Sequence, residues 1–184
     1  MHVSKFKIEG LLLLEPRLFE DNRGFFYESY NAKKYNELLG DNCNFVQDNI
    51  SVSKKYVLRG LHFQKSPFAQ GKLVTVLNGR VLDVAVDIRE NSKTFGQHQA
   101  VELSAENKHQ FWIPPGFAHG FIALEENTLF SYKCTNYYSP EHEKTLLWND
   151  PILAIDWAGV PNPIISEKDT IGQLFQEFTE EIKR

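Results

Sequence analysis

Four side chains stand out as equipped for proton transfer. His62 and His119 carry imidazoles that, when neutral, can take a proton near pH 7, while Lys72 and Tyr132 can deliver a proton or steady a developing charge. His62 lies in Val57-Leu58-Arg59-Gly60-Leu61-His62-Phe63-Gln64, an apolar, strand-like run interrupted by a cation and an imidazole. Strict strand alternation sends Arg59 and His62 to opposite faces. Gly60 sits between them, and a glycine inside a strand often marks a bulge, which shifts the phase by one and turns both side chains into one cavity. The same residues also fit a half-buried strand with one satisfied histidine and one surface arginine. Taken singly, Lys72 and Tyr132 fit an edge-strand lysine and a half-buried tyrosine.

Two further segments carry binding chemistry. Phe19-Glu20-Asp21-Asn22-Arg23-Gly24-Phe25-Phe26-Tyr27-Glu28 combines an arginine with aromatics, and Gln47-Asp48-Asn49 lies in an extended run. Arginine grips phosphate bidentately, aromatic rings stack on a base, and amides orient polar edges. An ordinary turn and amphipathic strand would use the same residues. Collected in one pocket, Arg59, His62, Lys72, His119 and Tyr132 are the parts of an acid/base site for an anionic substrate, with lysine or a neutral donor placed to stabilise an enolate oxygen.

The elements that must position these groups read as β-structure. Short apolar, β-branched and aromatic runs recur between Gly, Pro, Asn and Asp, the rhythm of a sandwich or barrel. Candidate strands run over 11–14, 24–30, 45–51, 56–63, 72–77, 80–88, 99–103, 110–113, 119–124 and 129–135. Asn78-Gly79 predicts a type I′ hairpin joining the fifth of these to the sixth. Helix is expected over 32–39, ended by Gly40, and near the carboxyl end over about 170–182. There Ile171, Leu174, Phe175, Phe178 and Ile182 fall at helical spacing and Ser166 with Asp169 resembles a capping box.

The chain has 184 residues and shows no internal repeat, low-complexity tract or linker, so a single domain over 1–184 is expected. A net charge of -4 without a basic run argues against a nucleic-acid polymer as partner. Cys43 and Cys134 are isolated, which fits a reducing compartment, and no apolar stretch has the length of a signal core or membrane span. A cytoplasmic protein without a membrane partner is the expectation. Pro114-Pro115-Gly116-Phe117-Ala118-His119 has the P-x-G-x-x-H form that supplies a metal-ligand histidine in the jelly rolls called cupins. The paired-histidine element is broken, however, because Gln64 stands two residues after His62. Two imidazoles fall short of the usual three or four ligands, so no metal or other cofactor is expected.

Together these segments resemble the dTDP-4-dehydrorhamnose 3,5-epimerase family. The likeness runs through Phe19-x-x-x-Arg23-Gly24-x-Phe26-x-Glu28, Gln47-Asp48-Asn49, Leu58-Arg59-Gly60-Leu61-His62-Phe63-Gln64, Gly71-Lys72-Leu73-Val74, Ile113 to Phe121 and Ile165-Ser166-Glu167-Lys168-Asp169. It implies an all-β, metal-free cupin jelly roll with a few short peripheral helices, acting as a homodimer on a dTDP-4-keto-6-deoxyhexose, with the N-terminal strands of about 1–50 packed on or exchanged with the partner. Position by position it makes His62 the general base, Asp169 its orienting partner, Tyr132 the acid on the opposite face of the sugar, and Lys72 and His119 neighbours of the C4 oxygen. Arg59, Arg23, Gln47, Asp48 and Asn49 match diphosphate and nucleotide contacts. Phe19, Phe26 and Glu28 are expected from the partner subunit, and Tyr138, Glu143 and Lys168 lie where nucleotide or sugar contacts are expected. A relative acting on C3 or C5 alone would share these motifs.

Overall fold

The computed structural model describes residues 1–40 and 43–183. The apolar runs pair antiparallel into two main sheets. In the first, β1 (His2–Lys5), β2 (Leu12–Glu15), β10 (Gln110–Ile113), β7 (Lys72–Asn78), β12 (Thr128–Cys134) and β5 (Gln47–Ser53) lie side by side in that order. In the second the order is β13 (Glu143–Thr145), β6 (Leu58–Gln64), β11 (Phe117–Ala123), β8 (Arg80–Asp87) and β9 (His98–Ser104). A separate two-stranded hairpin joins β3 (Phe19–Asp21) to β4 (Gly24–Phe26). This is a double-sheet jelly roll, as the resemblance implies.

Period-two alternation divides the side chains of each strand between two faces. Val74, Val76, Phe111, Ile113 and Phe130 of the first sheet meet Val81, Ala85, Val101, Leu103, Phe117 and Phe121 of the second in the core between them. The outer face of the second sheet is also covered: Leu58, Leu61, Phe63, Val84, Val86, Ala118 and Ile122 pack under Leu146, Trp157, Phe175 and Phe178. Burial on both faces explains why every residue of β11 is buried.

Several expectations change. The Asn78-Gly79 turn does not make a hairpin, because β7 bonds to β10 and β12 while β8 bonds to β11 and β9. Both strands are central and neither has a free edge for the other. Gly79, at φ +78°, instead carries the chain from one sheet to the other, and a Cβ there would lie 2.5 Å from the Thr128 hydroxyl. The carboxyl-terminal helix is likewise two pieces, α2 (Glu167–Thr170) and α3 (Phe175–Ile182), following α1 at Ala32–Leu39. Between α2 and α3, the Gln173 N–H donates to the Thr145 carbonyl and the Leu147 N–H to the Gln173 carbonyl, which extends the chain where helix spacing continued. Gly172 approaches Leu146 and Leu147 so closely that a Cβ would meet backbone at 2.7 Å, and Ile171 is left 80% exposed. The short strands β1, β3 and β13 escaped the sequence reading, and the strand expected over 24–30 ends at Phe26.

Candidate active site

The site occupies one end of the space between the sheets. Across the β6–β11 pair, His119 stands opposite His62 and Phe121 opposite Arg59, so β6 spends three steps where β11 spends two. That extra residue is a bulge. Leu58 and Leu61, also three apart, both enter the outer cluster, which leaves Arg59 and His62 together on the inner face. Gly60 makes the bulge possible: its φ is +136° and a Cβ would lie 2.5 Å from the Gly120 Cα.

His62 Nε2 lies 2.6 Å from Asp169 Oδ1, whose residue is 2% exposed at the centre of α2. An ionised carboxylate only accepts, so this contact puts the ring hydrogen on Nε2 and leaves the Nδ1 lone pair free to accept a proton. Burial pushes the Asp169 carboxyl up, but the hydrogen bond and charge of His62, with bonds from Ser166 and the Gly60 N–H, outweigh it and hold Asp169 below its ordinary value. The Ser166 hydroxyl also accepts from the Asp169 N–H, capping the turn that delivers this aspartate.

A second pair stands beside the first. His119 Nε2 lies 3.0 and 2.9 Å from the two oxygens of Asp83, which is fully buried on β8. Burial pushes the His119 imidazole below its ordinary value despite the opposing pull of Asp83. Burial also pushes the Lys72 ammonium down, against the pull of Cys134, Asp83 and Glu143. Tyr132, from β12 in the opposite sheet, has its phenol pushed up by burial and so holds its proton. Asp83 was not singled out in the sequence. The available signal was an acid inside the apolar run Val81 to Val86.

His62, Asp169, His119, Lys72 and Tyr132 wall a cavity of about 210 Å³ together with Ser51, Arg59, Phe121, Phe130, Ser166 and Lys168. A neighbouring space of about 90 Å³ shares His62, Lys72 and Tyr132 and adds Gln47, Asn49, Gln70 and Glu143. At its rim Tyr138 Oη donates to Glu143 at 2.7 Å, Lys168 pairs with Glu143, and the Tyr138 N–H donates to the Gln47 amide oxygen at 2.9 Å. Arg59 is held by Ser53 Oγ at 3.2 Å and the Val52 carbonyl at 3.3 Å. Gln64 donates to the Phe68 and Tyr137 carbonyls and accepts from the Ser139 N–H, so its amide ties the neighbouring loops. A wider groove of about 930 Å³ beside α1 is walled by residues such as Leu11, Leu38 and Trp112 and receives none of the acid/base groups.

The family model described as dTDP-4-dehydrorhamnose 3,5-epimerase matches residues 5–177. The chain belongs to that family. The Salmonella typhimurium dTDP-4-dehydrorhamnose 3,5-epimerase is 55% identical over 177 residues, 96% of this chain and 97% of the relative. A Legionella pneumophila dTDP-6-deoxy-D-glucose-3,5-epimerase, solved in complex with dTDP-4-keto-L-rhamnose, is 54% identical with a TM-score of 0.91, covering 95% of this chain and 93% of that one. A Streptomyces bikiniensis 3'-monoepimerase, solved with dTDP-quinovose, shares the fold at a TM-score of 0.90 but is 29% identical, over 97% of this chain and 89% of that one.

Not every residue carried over from the epimerase family reaches the cavity within one chain. Phe19, Arg23 and Phe26 lie on the projecting β3–β4 hairpin, where Phe26 is 69% exposed and Arg23 binds its own neighbour Asp21. Glu28 accepts from Lys34 and Asn31 just beyond that hairpin. Asp48 occupies the outer face of β5, paired with Lys133 at 2.8 Å, while Gln47 and Asn49 line the cavity.

Proposed function

We propose that this chain inverts C3 and C5 of dTDP-4-dehydro-6-deoxy-D-glucose, giving dTDP-4-dehydro-L-rhamnose, with His62 as base and Tyr132 as acid. Both carbons flank the C4 carbonyl, so both hydrogens are acidified by the same enolate and one base can serve the two centres. His62, oriented by Asp169, removes H5 or H3 as the electron pair moves onto the C4 oxygen. Lys72 steadies that oxygen, with His119 beside it, and Tyr132 returns a proton to the opposite face. The observation that carries this reading is that His62 belongs to one sheet and Tyr132 to the other, with the cavity between them. A flat enolate held there meets the base on one face and the acid on the other, as inversion requires.

Arg59, Gln47 and Asn49 take the diphosphate and nucleotide, with Tyr138, Glu143 and Lys168 at the rim. Phe19, Arg23, Phe26 and Glu28 complete the nucleotide site from a second copy of the chain. Support for that homodimer comes from the exposed aromatics of the β3–β4 hairpin and from β5, an edge strand with Ile50 and Val52 outward and exposed. The two buried, unpaired cysteines suit work in the cytoplasm.

Incubation with substrate in heavy water, followed by NMR, tests the reaction. Deuterium at C3 and C5 with inverted product is the expected result, whereas deuterium at a single centre would assign the chain to the monofunctional type. Sedimentation should give twice the mass of one chain, and Arg23→Ala should weaken dTDP binding without changing that mass.

A further inference from the structure

The inner face of β5 carries Gln47, Asn49, Ser51 and Ser53, of which the first two line the smaller space and Ser51 the larger one. Three of the four have polar side-chain partners: Gln47 donates to Asn49 and accepts from the Tyr138 N–H, Asn49 also reaches Cys134 Sγ, and Ser53 accepts from Arg59. Ser51 differs. Its Oγ is buried and has no hydrogen-bonding partner among the described residues, yet Ser51 lines the same cavity as His62, His119, Lys72 and Tyr132. Buried hydroxyls are nearly always satisfied, so an orphan of this kind in a catalytic cavity calls for a partner that arrives with the ligand.

We propose that Ser51 is a substrate-positioning residue whose hydroxyl bonds an oxygen of the hexose and fixes the ring between His62 and Tyr132. The inference rests on the site reading above and adds a residue to it. Its cavity neighbours place it at the sugar, because Ser51 shares one space with His62, Lys72, His119 and Tyr132. Ser51 is the register partner of Phe130, and the next inward residue, Asn49, is the partner of Tyr132. It shares its cavity with Phe130, Phe121, His119 and Tyr132, where the keto sugar must lie for Tyr132 to reach it, as well as with Arg59 and Lys168. The guanidinium of Arg59 is held further along, at Val52 and Ser53. Serine also suits the task because one hydroxyl can both donate and accept, which a mixed ring of carbonyl and hydroxyl groups requires.

A residue that serves the ligand and not the fold has a distinctive signature. Ser51→Ala removes a hydroxyl that bonds nothing in the protein, so thermal stability should be unchanged or raised. At the same time kcat/KM for dTDP-4-dehydro-6-deoxy-D-glucose should fall by roughly five- to tenfold, the worth of one neutral hydrogen bond. Calorimetric affinity for dTDP alone should stay within about twofold, because the nucleotide contacts are elsewhere. Ser51→Cys, which refills the volume with a weak donor, should show the same loss. Full activity in both variants overturns the proposal, as does rescue by cysteine alone, which would make the effect one of volume. Lower stability in Ser51→Ala reassigns the hydroxyl to the fold, and a parallel loss of dTDP affinity reassigns it to the diphosphate; either result overturns it. His62→Ala serves as the separate control: retained turnover there would remove the site reading itself, whatever Ser51 does.

Discussion

The cavity contains two histidine–aspartate pairs built from the same chemistry but placed differently. His62 takes its aspartate from 107 positions away, on a capped turn outside the sheet, and keeps 27% of its side chain exposed. His119 takes its aspartate from the adjacent strand of the same sheet and keeps 7%. The exposed ring has room to accept a proton from a ligand and return it to solvent. The enclosed ring is pushed toward its neutral form by burial and is held by Asp83 through Nε2, fixed in place beside Lys72. One pair of residue types thus gives an accessible ring and a fixed, enclosed one, and burial decides which is which.

The largest expected effect follows from removing the exposed ring. His62→Ala should lower kcat by about a hundred- to ten-thousandfold and abolish exchange at both carbons, whereas the same change at His119 should leave slow exchange measurable. Asp169→Asn comes next. An amide can donate to Nε2 and so push the ring hydrogen onto Nδ1, and kcat should fall by roughly a hundredfold or more with substrate affinity little changed. Activity near wild type in Asp169→Asn would break the distinction between the pairs.

At the enclosed pair the consequence moves from rate to stability. Asp83→Ala leaves the His119 Nε2–H buried without its acceptor, which costs about 1–3 kcal/mol in denaturant unfolding and lowers kcat more modestly. The smallest effect is in the pH dependence. Because folding lowers the His119 value below 6.5, the unfolded chain binds the proton more readily, and stability declines as pH falls below about 6.5. Asp169 has its value lowered from 3.8, so its contribution persists through that range and is lost only as pH drops below about 4. His119→Asn should reduce the first slope, with His98, also pushed down by burial, supplying the remainder, and leave the second.

Much of this arrangement was legible because single residues broke the pattern around them. An arginine and a histidine in an apolar strand, with glycine between, pointed to a bulge, and the register of β6 against β11 contains one. Gln64 two residues after His62 marked the broken metal element, and its amide turns out to be committed to loop carbonyls. What stayed hidden depends on partners distant in sequence. Asn78-Gly79 has the composition of a hairpin turn, and only the pairing of β7 and β8 with other strands decides that it links two sheets. The break between α2 and α3 is set by β-bridging of Gln173 to Leu146, which helical periodicity does not register. Asp83 reads as one polar residue in an apolar strand until His119 reaches it from the adjacent strand.

The claim that base and acid act from opposite walls is tested most directly by comparing His62→Ala and Tyr132→Phe in heavy water by NMR. The account predicts that Tyr132→Phe still exchanges substrate hydrogen for deuterium at a carbon flanking the carbonyl, with little inversion, while His62→Ala exchanges neither. Inversion at both centres without Tyr132, or exchange persisting without His62, would contradict it.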